Sequence, residues 1–182
     1  AHLPILVKQI ASLRVPANAP SAYAGKAPDI ALTTNGATLR NVAHELFTAG
    51  VSRVNVSLDT LQPEKFLAMT RRDEFHNVIA GIKEAQLAGF SPVKVNAVIE
   101  RGTNDDEIVD LATFGRENNV EVRFIEFMPL DAEQGWTGNK VVSQEEIVNA
   151  IHAVYPLEQM SARGAAPADR WRYLDGKGTV GV

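Results

Sequence analysis

Residues 38–57 read TLRNVAHELFTAGVSRVNVS, and this stretch decides the fold. Thr38 to Ala49 is amphipathic with helical spacing. Gly50 follows as a helix C-cap, where a left-handed backbone is tolerated. Arg53-Val-Asn-Val-Ser57 is then a short strand. The order recurs on both sides. Glu74 to Ala88 is amphipathic, Gly89 follows, and Val93-Lys-Val-Asn-Ala-Val98 is a strand. Asn104 to Asn118 precedes Val120-Glu-Val-Arg-Phe-Ile125, and a first helix, Leu3 to Leu13, precedes Asp29-Ile-Ala-Leu-Thr33. Helix-then-strand repetition predicts βαβ units in a parallel sheet. Right-handed crossovers put the strand C-termini at one edge, where such folds bind ligands.

Composition limits the function. The 182 residues are 45% hydrophobic and 22% charged, enough for a sizeable core and too apolar for wholesale disorder. Net charge is -4 with no basic stripe, so neither a nucleic-acid polymer nor a membrane surface is an expected partner. No apolar run approaches the roughly 18 residues that span a bilayer, and AHLPILVKQIASLR lacks the layout of a secretory signal. Cysteine is absent. These residues therefore supply no disulfide, thiol nucleophile, zinc–thiolate site or cysteine-ligated iron–sulfur cluster.

Val15 to Pro28 and Leu130 to Lys140, with Gly135 and Gly138 around Trp136, are predicted loops. Ser143-Gln-Glu-Glu146 has the form of a capping box opening a helix to Val154. Asn104 and Asp105, with Glu107, are a second cap candidate. Ser161 to Arg170 has no pattern, and Trp171 to Gly178 predicts a strand and turn.

The informative polar residues lie in or just after the strands: Thr33-Thr34-Asn35-Gly36, Ser57 with Asp59, Lys94 with Asn96, and Arg123 with Glu126 and Met128. Buried parallel strands should be nearly continuous Val, Ile and Leu. Charged and amide groups inside them cost free energy unless paired, so their convergence on one edge points to a polar ligand. Each has a plainer account. The TTNG stretch is equally a strand-to-helix turn. Ser57 and Asp59 could cap the helix after Pro63, Lys94 and Glu126 could form an ion pair, and Met128 could be core. The four histidines are scattered and are taken as surface or core residues.

Four strings, LTTNG (32–36), SRVNVSLDTLQPEKFLAMTRRDEF (52–75), GIKEAQLAGFSPVKVNAVIERGTNDDEI (81–108) and VRFIEFMPL (122–130), together resemble the molybdenum cofactor biosynthesis protein A family. These are radical S-adenosylmethionine (SAM) GTP 3',8-cyclases. The resemblance covers Ile30 to Leu157.

It implies a partial (β/α) barrel of radical SAM type, about four of six parallel strands being present, over residues 1–157. Residues 158–182 would begin the region leading to a second cluster domain. It also implies the cofactors, SAM and two [4Fe-4S] clusters, one held by a Cys-x3-Cys-x2-Cys motif. The implied chemistry is hydrogen abstraction from the ribose of GTP and attack of the sugar carbon on C8 of guanine. By position, Thr33, Lys94, Asn96 and Arg123 correspond to GTP-binding residues, with Arg123 also acting in the chemistry. Ser57 and Met128 correspond to SAM-binding residues. Arg and Lys suit phosphate oxygens, and a thioether suits an aromatic ring.

Cyclic pyranopterin monophosphate synthase would act downstream, and a homodimer is compatible with the family. The compartment would be cytoplasmic in a bacterium and the mitochondrial matrix in a eukaryote. The sequence departs from the family in lacking both cysteine motifs. It is therefore expected to be a central fragment, inactive alone, with an exposed edge strand that promotes association. The alternatives are a non-catalytic nucleotide-binding or scaffold half-barrel and, less favoured, a cluster-independent (β/α) enzyme.

Overall fold

The computed structural model describes residues 2–19, 24–128, 138–160 and 168–182. Six helices and seven strands appear among them: α1 (Leu3–Ser12), β1 (Ile30–Thr34), α2 (Leu39–Ala49), β2 (Val51–Ser57), α3 (Pro63–Thr70), α4 (Phe75–Ala88), β3 (Val93–Ile99), α5 (Ile108–Glu117), β4 (Val120–Glu126), α6 (Gln144–Val154), β5 (Leu157–Gln159), β6 (Arg170–Tyr173) and β7 (Thr179–Gly181). The chain forms two compact units, residues 1–56 with 76–93, and residues 57–75 with 94–182.

In the first unit β1 and β2 pair in parallel, Thr33 opposite Asn55. Leu39, Ala43 and Leu46 recur at three- and four-residue intervals and form the buried stripe of α2. Gly50 ends that helix with φ +113°, a left-handed conformation costly for other residues. The TTNG stretch is a turn: Thr34 Oγ1 accepts the Gly36 N–H and Asn35 Oδ1 the Ala37 N–H. These bonds hold the bend and do not cap α2.

In the second unit the strand order is β3-β4-β7-β6-β5, with β7 parallel to β4 and β6 and β5 antiparallel. The predicted Trp171 strand and turn thus become a hairpin whose far arm joins the parallel strands. β5 was not legible as a strand. Val93, Val95, Ala97 and Ile99 are fully buried while Lys94, Asn96 and Val98 between them are only partly so. This alternation explains the polar residues in oily strands: one face packs and the other is half open. α6 opens on the predicted capping box, with Ser143 and Glu146 each accepting from the other's backbone N–H. Most of the Leu130–Lys140 and Ser161–Arg170 stretches, and part of the Val15–Pro28 loop, lie outside the described residues. Residues 138–140 form a single 3-10 turn.

Candidate functional site

Strand β4 sends Val120, Val122 and Phe124 into the core and carries Glu121 and Arg123, two residues apart, on its opposite face. Glu121 is 4% exposed and is the centre of the site. Its Oε1 accepts from Arg123 Nε at 3.0 Å and lies 3.4 Å from Lys94 Nζ on β3. Its Oε2 accepts from Arg170 Nη2 at 2.9 Å and Thr179 Oγ1 at 3.0 Å. Arg170 Nη2 also donates to Thr179 Oγ1 at 3.1 Å.

Strand register builds this cluster. Arg123 is opposite Gly181 on β7, and Gly181 is opposite Arg170 on β6. The glycine therefore sits between two arginines. A Cβ placed there would lie 3.1 Å from Arg123 Cγ, closer than ordinary packing allows.

One carboxylate faces three cations, so the cluster carries two unbalanced positive charges. Burial alone pushes the Glu121 carboxyl up, but Lys94, Arg123 and Arg170 outweigh it and hold it below the usual carboxylate range. Burial lowers the Lys94 ammonium from its ordinary value, Arg123 and Arg170 push the same way, and Glu121 opposes them. A desolvated ammonium beside surplus positive charge gains from an incoming anion.

Arg123, Asn96 and Met128 line one cavity of about 460 Å³, with Glu126 and Gln144 on its wall. Met128 is 50% exposed, so the core reading does not hold for it. Ser57 is exposed at the end of β2, one residue before the Leu58 N–H that donates to the Asn96 carbonyl at 2.9 Å. The structure thus brings Lys94 to Arg123, and Asn96 and Met128 to Arg123. Thr33 belongs to the first unit, where its hydroxyl accepts from Asn55 Nδ2 at 3.4 Å.

Three local readings change. The partner of Lys94 is Glu121, while Glu126 accepts the Gln144 N–H at 2.7 Å. Asp59 does not cap α3. Its carboxylate accepts the Val98 N–H at 2.8 Å, and burial raises its pKa against that bond. Asn104 and Glu107 are braces where cap residues were expected. Asn104 donates to the Asp59 and Val98 carbonyls, and buried Glu107 accepts from Thr60 Oγ1, the Leu61 N–H and Lys65. Together they fasten the segments after β2 and β3, which fixes the strand ends that carry the site.

Sequence reasoning missed Glu121, Arg170, Thr179 and Gly181. The Glu121-x-Arg123 spacing was a usable signal, because it puts a carboxylate and a guanidinium on one face of a strand. Arg170 gave none, since its pairing depends on the hairpin. Among the described residues no cluster of His, Cys, Asp and Glu could hold a metal ion. His152 accepts the Leu157 N–H, and His44 meets Glu84, as structural residues do.

The model of the radical SAM superfamily matches residues 2–115. The chain belongs to the radical SAM superfamily. Residues 120–182, which carry Glu121, Arg123, Arg170 and Gly181, match the Molybdenum Cofactor Synthesis C family. The chain is 46% identical over 157 residues to a GTP 3',8-cyclase of Streptomyces coelicolor, covering 85% of the chain and 46% of that relative. It is 43% identical over 184 residues to the GTP 3',8-cyclase of Acidothermus cellulolyticus, covering 100% of the chain and 48% of that relative. The chain spans about half the length of the curated relatives it matches.

Among solved structures, a radical SAM methyltransferase from Sphaerobacter thermophilus superposes with a TM-score of 0.52 at 22% identity, over 68% of this chain and 36% of that one. TYW1 with a lysine–pyruvate adduct bound gives 0.52 at 10% identity, over 84% and 46%. Both likenesses concern fold, and they agree with a partial, unclosed barrel of radical SAM type. The superfamily uses SAM and an iron–sulfur cluster. With no cysteine in the 182 residues, the thiolates of such a cluster do not come from this stretch.

Proposed function

We propose that the protein carrying this chain is a GTP 3',8-cyclase. It converts GTP to (8S)-3',8-cyclo-7,8-dihydroguanosine 5'-triphosphate, the first step of molybdenum cofactor biosynthesis. The observation that supports this most is the convergence of Lys94 and Arg123 on one buried carboxylate with positive charge left over. Surplus desolvated cations fit a triphosphate, Arg as a planar fork and Lys as a point charge. The similarity to GTP 3',8-cyclases and the match to the Molybdenum Cofactor Synthesis C family support the same reading.

In this proposal Lys94 and Arg123 hold the phosphates. Asn96, two residues from Lys94 on the same face of β3, adds a polar contact to the nucleotide, and Thr33 is a separate candidate for GTP binding. Arg123 stands nearest the chemistry. Ser57 holds the polar part of SAM, and Met128, presented to the cavity, packs on its adenine. These residues bind and orient, while the cluster that reduces SAM lies on other parts of the protein. Cyclic pyranopterin monophosphate synthase consumes the product, and a homodimer is compatible with this arrangement.

The test is anaerobic turnover of the full-length protein with GTP and SAM. Cyclised nucleotide and 5'-deoxyadenosine should form together, and Lys94→Ala should raise the KM for GTP by tenfold or more, as expected for a charged hydrogen bond worth about 1.5–3 kcal/mol. SAM cleavage with GTP left intact would overturn the assignment. A second reading, nucleotide binding without turnover, is favoured by the absence of cysteine. It predicts that GTP binds and is recovered unchanged under the same conditions.

A further inference from the structure

Arg170 has a role that strand pairing does not explain. It stands at the start of β6, and its Nη2 shares Glu121 Oε2 with Thr179. Its side chain is 41% exposed, against 15% for Lys94 and 19% for Arg123. It is therefore the least enclosed of the three cations. Its Nε is buried and has no acceptor among the described residues. Buried N–H donors are rarely left without an acceptor, and an unfilled one marks a place where an oxygen belongs.

Glu121 touches all three cations but brings one negative charge to three positive ones, so it cannot neutralise them. If Arg170 turns from Glu121 towards an anion, Oε2 keeps Thr179 and stays hydrogen-bonded. Gly181, opposite both Arg123 and Arg170, lets the Arg123 stem lie close over the strand, since an added Cβ would come within 3.1 Å of Arg123 Cγ.

We propose that Arg170 is a third phosphate-binding cation of the site. The β6–β7 hairpin delivers it to the same polyanion that Lys94 and Arg123 hold, with Glu121 as the shared anchor that holds the three together until the anion arrives. This rests on the polyphosphate reading of Lys94 and Arg123 and extends the site to a residue outside the barrel strands. A guanidinium fork beside a second arginine suits terminal phosphate oxygens, so the added contact should matter most for ligands with more than one phosphate.

The experiment is calorimetric titration of the full-length protein with inorganic tripolyphosphate, GTP and GMP, using wild type, Lys94→Ala, Arg170→Gln and Arg170→Lys. Circular dichroism of each variant establishes that it is folded. Arg170→Gln should weaken tripolyphosphate and GTP binding about tenfold or more, as for a lost charged hydrogen bond, and change GMP much less. Arg170→Lys should recover part of the loss. Tripolyphosphate binding that falls in Lys94→Ala but is unchanged in folded Arg170→Gln would overturn the role of Arg170 and leave the site standing. Failure of the wild type to bind either polyphosphate would overturn the site reading, and this proposal with it.

Discussion

Glu121 shows how a single residue organises the site. It is buried, negatively charged and surrounded by donors, so its value lies in position rather than in net attraction, for desolvation offsets much of a buried pair's Coulomb energy. Removing it leaves Lys94 and Arg123 facing each other without a counter-charge. We predict that Glu121→Leu lowers unfolding free energy by about 3 kcal/mol, read from urea denaturation. The pH dependence follows from the carboxyl being held below its ordinary range. A depressed carboxyl stabilises the fold above its unfolded value, and that contribution is lost as pH falls through the folded one. Wild-type stability should therefore fall on acidification below the normal glutamate range, and Glu121→Leu should lack that component. The residues flanking Glu121 were legible in part. Lys94 and Arg123 stood out because charge is rare in a buried strand; Glu121 was legible only through its spacing from Arg123, and its bond to Arg170, 49 positions later, had no local signal.

Most helices and strands could be read from local pattern. β3 alternates strictly between buried and half-open residues, with Lys94 and Asn96 on the half-open face, and the α6 capping box formed as its sequence predicts. What local pattern could not supply was partnership over distance. Asn104 and Glu107 have the composition of a cap, yet tertiary bonds to the segment after β2 use their side chains instead. β5, three residues long, carries too little periodicity to detect. The α6 cap offers a clean test because its bonds are local. Ser143→Ala should cost about 1 kcal/mol, measured by thermal melting. Glu146, held down to about 2 by the Ser143 backbone N–H, Arg101 and the Ser143 side chain, should lose its stabilising effect as pH falls from the ordinary glutamate value towards 2.

At the scale of the molecule, α/β units of radical SAM type present polar residues on the half-open faces of their strands, and a C-terminal hairpin completes the charge cluster. Among the described residues β1 pairs only with β2. Its other edge offers unpaired backbone groups to any neighbour. The 182-residue polypeptide on its own should accordingly self-associate with rising concentration, and a monodisperse monomer in sedimentation velocity would contradict this. The central claim is that Lys94 and Arg123, poised around Glu121, grip a chain of phosphates. Its most direct test is the affinity of the full-length protein for guanosine, GMP, GDP and GTP, compared with Arg123→Ala. The account predicts that wild-type affinity climbs with each phosphate and that the variant flattens the climb. Equal affinities along the series, or a slope that survives the loss of Arg123, would contradict it.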